Sequence, residues 1–159
     1  ILYYDAAPGK KANLYGGFSV SHLTRPDDKF TETGNARIPM RYTFHAGVRL
    51  TLSDMFSLTP NALYLYQGKA QEKMVGAYGQ LKAGPATDIM LGANYRFDDA
   101  ISPYVGFMHN NLMLGVSYDV NTSDLGKMVN GTNSFEITLS FIGRKSARTP
   151  EVEFVCPRL

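Results

Sequence analysis

The 159 residues carry 16 Lys+Arg against 14 Asp+Glu, a formal net charge of +2, too balanced for a nucleic-acid binder that works by neutralising phosphates. Aromatics reach 12% with no Trp, and 15 Gly with 10 Tyr favour strands and tight turns over helices. One Cys excludes an internal disulfide framework, no Cys/His spacing suggests structural zinc, and no run of about 18 apolar residues marks a transmembrane helix. A membrane barrel stays open, because its alternating faces average to a mean hydropathy near zero.

Strand predictions rest on period-two patterning, which puts alternate residues on two faces where a helix would mix them. The opening Ile1, Leu2, Tyr3 and Tyr4 read as the end of a strand. With Ile1 in place of an initiator Met and no signal-like segment, the chain is expected either to start here in mature form or to be the C-terminal part of something longer. A weaker strand over 14–22 sets Leu14, Gly16, Phe18 and Val20 against Tyr15, Gly17, Ser19 and Ser21. After a long polar stretch, 23–40, comes the clearest run, 42–52. It opposes Tyr42, Phe44, Ala46, Val48, Leu50 and Leu52 to Thr43, His45, Gly47, Arg49 and Thr51.

A short turn, 53–55, leads to a run over 56–67 whose faces are ambiguous, because Leu63 and Leu65 oppose Tyr64 and Tyr66. An intermediate connection, 68–73, precedes a weaker strand over 74–83 with Val75, Ala77, Gly79 and Leu81 on its apolar side. The run 88–97 is clear, with Ile89, Leu91, Ala93, Tyr95 and Phe97 opposite Met90, Gly92, Asn94 and Arg96. A short candidate, 103–108, opens on Pro103, which favours an edge or a strand start. The tight turn His109-Asn110 leads into 111–121, where Leu112, Leu114, Val116, Tyr118 and Val120 oppose Met113, Gly115, Ser117 and Asp119. After a long connection, 122–133, the last run sets Phe135, Ile137, Leu139 and Phe141 against Glu136, Thr138 and Ser140. Eight strands and no helix are predicted.

The two longest loops, 23–40 and 122–133, leave one end of this array, and the turns 53–55, 84–87 and 109–110 lie at the other. That asymmetry describes an outer-membrane barrel better than a soluble sandwich. Strands of about 10–11 residues at roughly 3.3 Å each, tilted near 40–45°, span about 25 Å of membrane. Aromatics at strand ends (Tyr42, Tyr95, Phe97, Tyr118, Phe135, Phe141) suit interfacial girdles; filling a soluble β core is the alternative.

Past Gly143 the chain turns basic and then apolar, bounded by Pro150 and Pro157, on the short-turn side. Val152, Phe154 and Val155 are costly to leave exposed. The stretch 151–155 is suited to adding a strand to a partner sheet, and packing under the barrel is the equal alternative.

No motif announces chemistry. His22, His45 and His109 match no metal spacing, and no nucleophile elbow, P-loop or dinucleotide fingerprint is present. Ser53 with His45 is the least poor nucleophile–base pair, and a barrel enzyme is a weak rival. Asp119 and Glu136 fall on polar faces, where they are candidates to meet Arg49 or Arg96 in a buried ion network. A hydrated pore wall is the alternative. No cofactor is expected.

Four passages carry a family resemblance. They are Gly16-Gly17-Phe18-Ser19-Val20-Ser21-His22-Leu23-Thr24-Arg25-Pro26, then Arg41 to Leu50, then Val116-Ser117-Tyr118-Asp119-Val120-Asn121-Thr122-Ser123-Asp124-Leu125, and Arg148-Thr149-Pro150-Glu151-Val152-Glu153-Phe154. In order they resemble the C-terminal half of the PorP/SprF membrane proteins of the type IX secretion system of Bacteroidota. The resemblance implies an all-β, antiparallel transmembrane β-barrel, eight strands here and part of a larger barrel. Residues 1–143 would supply strands and 144–159 a periplasmic tail. It implies a non-enzymatic outer-membrane component acting in export or surface anchoring of a large adhesin. Its partners would be the periplasmic PorK/PorN ring, the PorL/PorM motor and outer-membrane lipid, with no nucleic acid. Arg25, Pro26, Ser123, Asp124 and Leu125 would face cargo, and the tail residues Arg148, Thr149, Pro150, Glu151, Val152, Glu153 and Phe154 would dock periplasmic machinery. A small porin or ligand-binding barrel is the alternative.

Overall fold

The computed structural model describes residues 1–5, 7, 9–27, 37–123 and 133–141. They form one antiparallel sheet in sequence order, with no helix among them: β1 (Leu2–Tyr4), β2 (Ala12–Ser21), β3 (Arg41–Thr51), β4 (Phe56–Gln67), β5 (Ala70–Gly84), β6 (Thr87–Arg96), β7 (Ala100–His109), β8 (Leu112–Asn121) and β9 (Ser134–Phe141). The alternation read from the sequence is the alternation of this sheet. Nine strands replace the expected eight, because residues 2–4 pair with β2 from Leu2↔Gly17 to Tyr4↔Tyr15. The described sheet is open, with β1 and β9 as its edges.

Burial is inside out for a water-soluble protein. Every buried side chain lies on one face: Tyr15, Met74, Tyr78, Met90 and Ala100 beside the polar Ser57, Thr59, Gln80 and Asp88. The other face is apolar and bare, with Leu91 and Leu139 at 69% exposure and Ile137 at 62%. An exposed apolar surface of this extent marks a face that is covered, by a partner or by lipid, and an apolar outward face over a polar inward one is the pattern of membrane-spanning strands.

Register settles the faces of β4. Asn61 pairs with Gly47 and Gly76 on the buried side, so Ser57, Thr59, Asn61, Leu63, Leu65 and Gln67 face inward. Phe56, Leu58, Pro60, Ala62, Tyr64 and Tyr66 face out, and the two inward leucines caused the ambiguity. β5 starts earlier than its pattern suggests. Gln71 and Lys73 pair with Tyr66 and Tyr64, which shrinks the connection from β4 to Gly68-Lys69.

Two prolines sit in interior strands, where a missing N–H breaks a ladder. Each sits where bridging pairs are missing within an unchanged register: β3–β4 pairs Gly47↔Asn61 and next Leu50↔Leu58 around Pro60, and β7–β8 pairs Ile101↔Val120 and next Tyr104↔Ser117 around Pro103. The expectation that Pro103 marks a strand start or an edge is therefore corrected: β7 begins at Ala100 and has neighbours on both sides.

The two ends differ as the loop lengths predicted. The connections 22–40 and 122–133 leave one end, along with the turns 68–69 and 97–99. The other end holds 5–11, 52–55, 85–86 and 110–111, and β9 also finishes there, with Phe141 opposite Leu112.

Candidate functional site

Two features converge at the long-loop end: a charged inner face and the roots of the two long loops. On the inner face, Asn61, Glu72, Asn94, Arg96, Ser102, Tyr104, Ser117, Asp119, Glu136 and Thr138 line a hollow of about 620 Å³. Charge is segregated across this face. Strands β2 to β4 turn Arg41, His45 and Arg49 inward with no carboxylate among them. Strands β5 to β9 turn Glu72, Asp88, Asp119 and Glu136 inward, against Arg96 and the rim residue Lys82.

Arg96 is the hub. Its Nη2 donates to Asp119 Oδ2 at 2.8 Å, across the intervening β7. Small residues make that reach possible: Ala100, the register partner of both Arg96 and Asn121, is 2% exposed. Arg96 Nε also lies 3.0 Å from Asp99 Oδ2 in the β6–β7 turn. The Asp99 carbonyl in turn accepts from Thr122 N at 2.7 Å, Ser123 N at 3.1 Å and Thr122 Oγ1 at 3.1 Å. Ser123 further donates its N–H and hydroxyl to Asn121 Oδ1 at 2.9 and 2.6 Å. The inner ion pair and the root of the 122–133 loop are thus one network. Lower on this face, buried Gln80 donates to Asp88 at 2.8 Å.

The other long loop has its own root. His22 and Arg25 adopt left-handed φ of 59° and 47°, and Arg25 N donates to the His22 carbonyl at 2.9 Å, so the chain reverses as β2 ends. Pro26 O then accepts from Ile38 N at 2.9 Å, and Arg37 pairs with Asp27 at 3.4 Å. Gln67 Nε2 donates to Pro39 O at 3.3 Å, tying the loop exit to the β4–β5 turn.

Of the residues expected to face cargo, Arg25 and Pro26 lie in the first root and Ser123 in the second, at the same end of the sheet. Asp124, Leu125 and the tail residues Arg148 to Phe154 lie outside the described residues. Asp119 meets Arg96, one of the two arginines expected for it, and Glu136 lines the same hollow. Ser53 and His45 are not brought together. Ser53 Oγ accepts from Phe56 N at 3.1 Å in the β3–β4 turn, while the His45 ring covers Gly17 on the inner face. Among the described residues, no three His, Cys, Asp or Glu group as a metal site would need.

Sequence reasoning missed how the inner face is packed. Tyr15 lies over Gly47 and Asn94 over Gly76, and Tyr78 and Tyr104 both lie over Gly92. Each pair is a register pair, so the glycine supplies the space its cross-strand partner fills. The signal was present as inward glycines alternating with inward tyrosines, but periodicity within one strand does not fix register with the next.

A family model described as "Type IX secretion system membrane protein PorP/SprF" matches residues 1–141. No curated protein and no solved structure matches the chain.

Proposed function

The chain belongs to the PorP/SprF family of type IX secretion system membrane proteins, and from that premise we propose that it is a non-enzymatic β-barrel subunit of the bacterial outer membrane, serving export or surface anchoring of a large adhesin-type cargo. The long-loop end faces outward and presents Arg25, Pro26, Ser123, Asp124 and Leu125 to cargo. β9 finishes at the short-turn end, which supports a periplasmic position for 144–159. There the segment Arg148 to Phe154 docks on machinery such as the PorK/PorN ring and, through it, the PorL/PorM motor. Residues 1–143 act as part of a larger barrel. Among the described residues the edges of the sheet are β1 and β9, and in hydrocarbon the backbone groups of an open edge must be paired by another strand, which supports a larger barrel.

The observation that carries this reading is the asymmetry of a sheet with an apolar outward face. Two long loops, each braced at its root, lie at one end, and short turns and the last strand end lie at the other. Deleting 148–159 tests it. Barrel insertion should persist while adhesin display or gliding falls and the periplasmic ring no longer co-purifies. Unchanged display with the ring still bound contradicts the docking role.

The inner hollow favours one rival, a small porin or ligand-binding barrel. Steady single-channel conductance by this chain alone in a planar bilayer would support that rival.

A further inference from the structure

The outward face of the nine strands is apolar through its middle, with Gln71, Thr87 and His109 as polar residues at its margins. Lys73 on β5 is the single Lys, Arg, Asp or Glu on that face among the described residues. Its place in the register is specific. Phe18 pairs with Phe44, Phe44 with Tyr64 and Tyr64 with Lys73, and Phe97 N donates to the Lys73 carbonyl at 2.9 Å. One register row from β2 to the residue after β6 therefore reads Phe, Phe, Tyr, Lys, Phe, with Lys73 near the long-loop end of β5. Tyr95 packs edge-on against Phe97 at 5.0 Å beside it. Lys69 lies just above, in the β4–β5 turn, and both lysines are exposed.

No carboxylate pairs with Lys73 among the described residues. Glu72 points to the opposite face, and Asp99 is held by Arg96. A lysine facing lipid at girdle depth extends its ammonium toward the headgroups while its stem stays among apolar groups. Tyr64 and Phe97 are its register neighbours on either side, and the negative charge available at headgroup level is lipid phosphate.

We infer that Lys73, supported by Lys69 and framed by Tyr64 and Phe97, binds the phosphate of a lipid headgroup in the leaflet at the long-loop end. The inference rests on the membrane-facing reading of this sheet face. The site fixes the depth and rotation of the barrel at that leaflet, and it recruits phosphorylated lipid to the foot of the 22–40 loop, whose exit is tied to the same turn through Gln67 and Pro39.

The test uses the full chain in phosphatidylcholine nanodiscs, with lipid A or dephosphorylated lipid A added and bound lipid counted by native mass spectrometry. Wild type and Lys73→Arg should retain lipid A over its dephosphorylated form. Lys73→Gln and Lys69→Gln should each lose roughly fivefold in retention, and inorganic phosphate should not compete. Equal retention by Lys73→Gln, no preference for the phosphorylated form, or displacement by free phosphate overturns the site. Heat-modifiable gel migration is scored on the same samples. A wild type that never inserts even within the complete barrel, its sheet edges paired, overturns the membrane reading itself, whereas inserted variants with unchanged lipid retention overturn the lipid site alone. If Lys73→Gln does not insert, Lys69→Gln and Lys73→Arg still decide.

Discussion

Arg96 on β6 reaches across β7 to hold Asp119 on β8 at 2.8 Å, and the same guanidinium lies 3.0 Å from Asp99, whose carbonyl carries the root of the 122–133 loop. Both partners of the pair are 30% exposed, so solvent screens part of the attraction. A double-mutant cycle with Arg96→Ala and Asp119→Asn should give a coupling on the order of 1 kcal/mol. Arg96→Ala should also raise the susceptibility of the 122–133 loop to added protease, and Asp119→Asn should do so less. Protease sensitivity unchanged from wild type in Arg96→Ala would separate the loop root from the ion pair.

Gly92 is closed in on the inner face by backbone as well as by side chains. A Cβ there would lie 2.6 Å from Tyr78 Cβ, 2.7 Å from the Ala77 carbonyl and 2.7 Å from Tyr104 Cζ. The carbonyl cannot swing away, so Gly92→Ala should cost about 1–3 kcal/mol of folding stability in detergent–urea titrations. At Gly84 the same atom would make ordinary contacts of 3.8 and 3.9 Å with Thr87, and Gly84→Ala should be close to neutral. Equal effects at the two positions would contradict the register.

Leu91 tests what lies outside the sheet. At 69% exposure a Leu→Arg change in water is mild, but at mid-bilayer depth it should cost about 2–4 kcal/mol. Folding into lipid vesicles should therefore fail or weaken for Leu91→Arg while Asn94→Arg, on the inner face, is better tolerated. Equal folding yields would place Leu91 away from lipid.

At the short-turn end, outside the spanning strands, Lys10 Nζ donates to Asp5 Oδ2 at 2.8 Å, and Ala7 N donates to Oδ1 at 3.1 Å. The Lys10 hydrogen bond, then the Ala7 N–H, hold the Asp5 carboxyl below its ordinary 3.8, and Asp5 raises Lys10 above 10.5. A lowered carboxyl contributes stability above its unfolded pKa and loses it as pH falls through the folded value. The raised lysine contributes below its unfolded pKa and loses that as pH rises through the folded value. Carbon-detected NMR in micelles should find Asp5 titrating below 3.8, and Lys10→Gln should move the midpoint up. A midpoint unmoved by Lys10→Gln would contradict the contact.

Much of the fold was legible because lipid on one side and polar groups on the other impose strict alternation. β6, β8 and β9 carry it without interruption, so their faces followed directly from residue order. Where inward positions are themselves apolar, as at Leu63 and Leu65, alternation loses its contrast and only cross-strand register assigns the face. β1 was too short to show a period, and β5 begins with outward Gln71 and Lys73, which look like loop residues until Tyr64 and Tyr66 appear opposite them. The Arg96–Asp119 pair was legible in kind. Choosing Arg96 over Arg49 required knowing that a single strand, β7, lies between β6 and β8 and sets the small Ala100 beside Arg96. The glycine seats under Tyr15, Tyr78 and Tyr104 were not legible, since they exist only between strands.

The central claim is that this sheet spans a membrane with its apolar face toward lipid and its charged face toward an aqueous or polar interior. Spin labels placed singly along β6 in lipid vesicles, with Cys156 replaced by Ser, test it most directly. Labels at Ile89, Leu91 and Ala93 should relax strongly with oxygen and weakly with a water-soluble nickel chelate, and labels at Met90 and Asn94 should reverse that preference. Accessibility that does not alternate along β6, or nickel access at Leu91 equal to that at Asn94, would contradict the account.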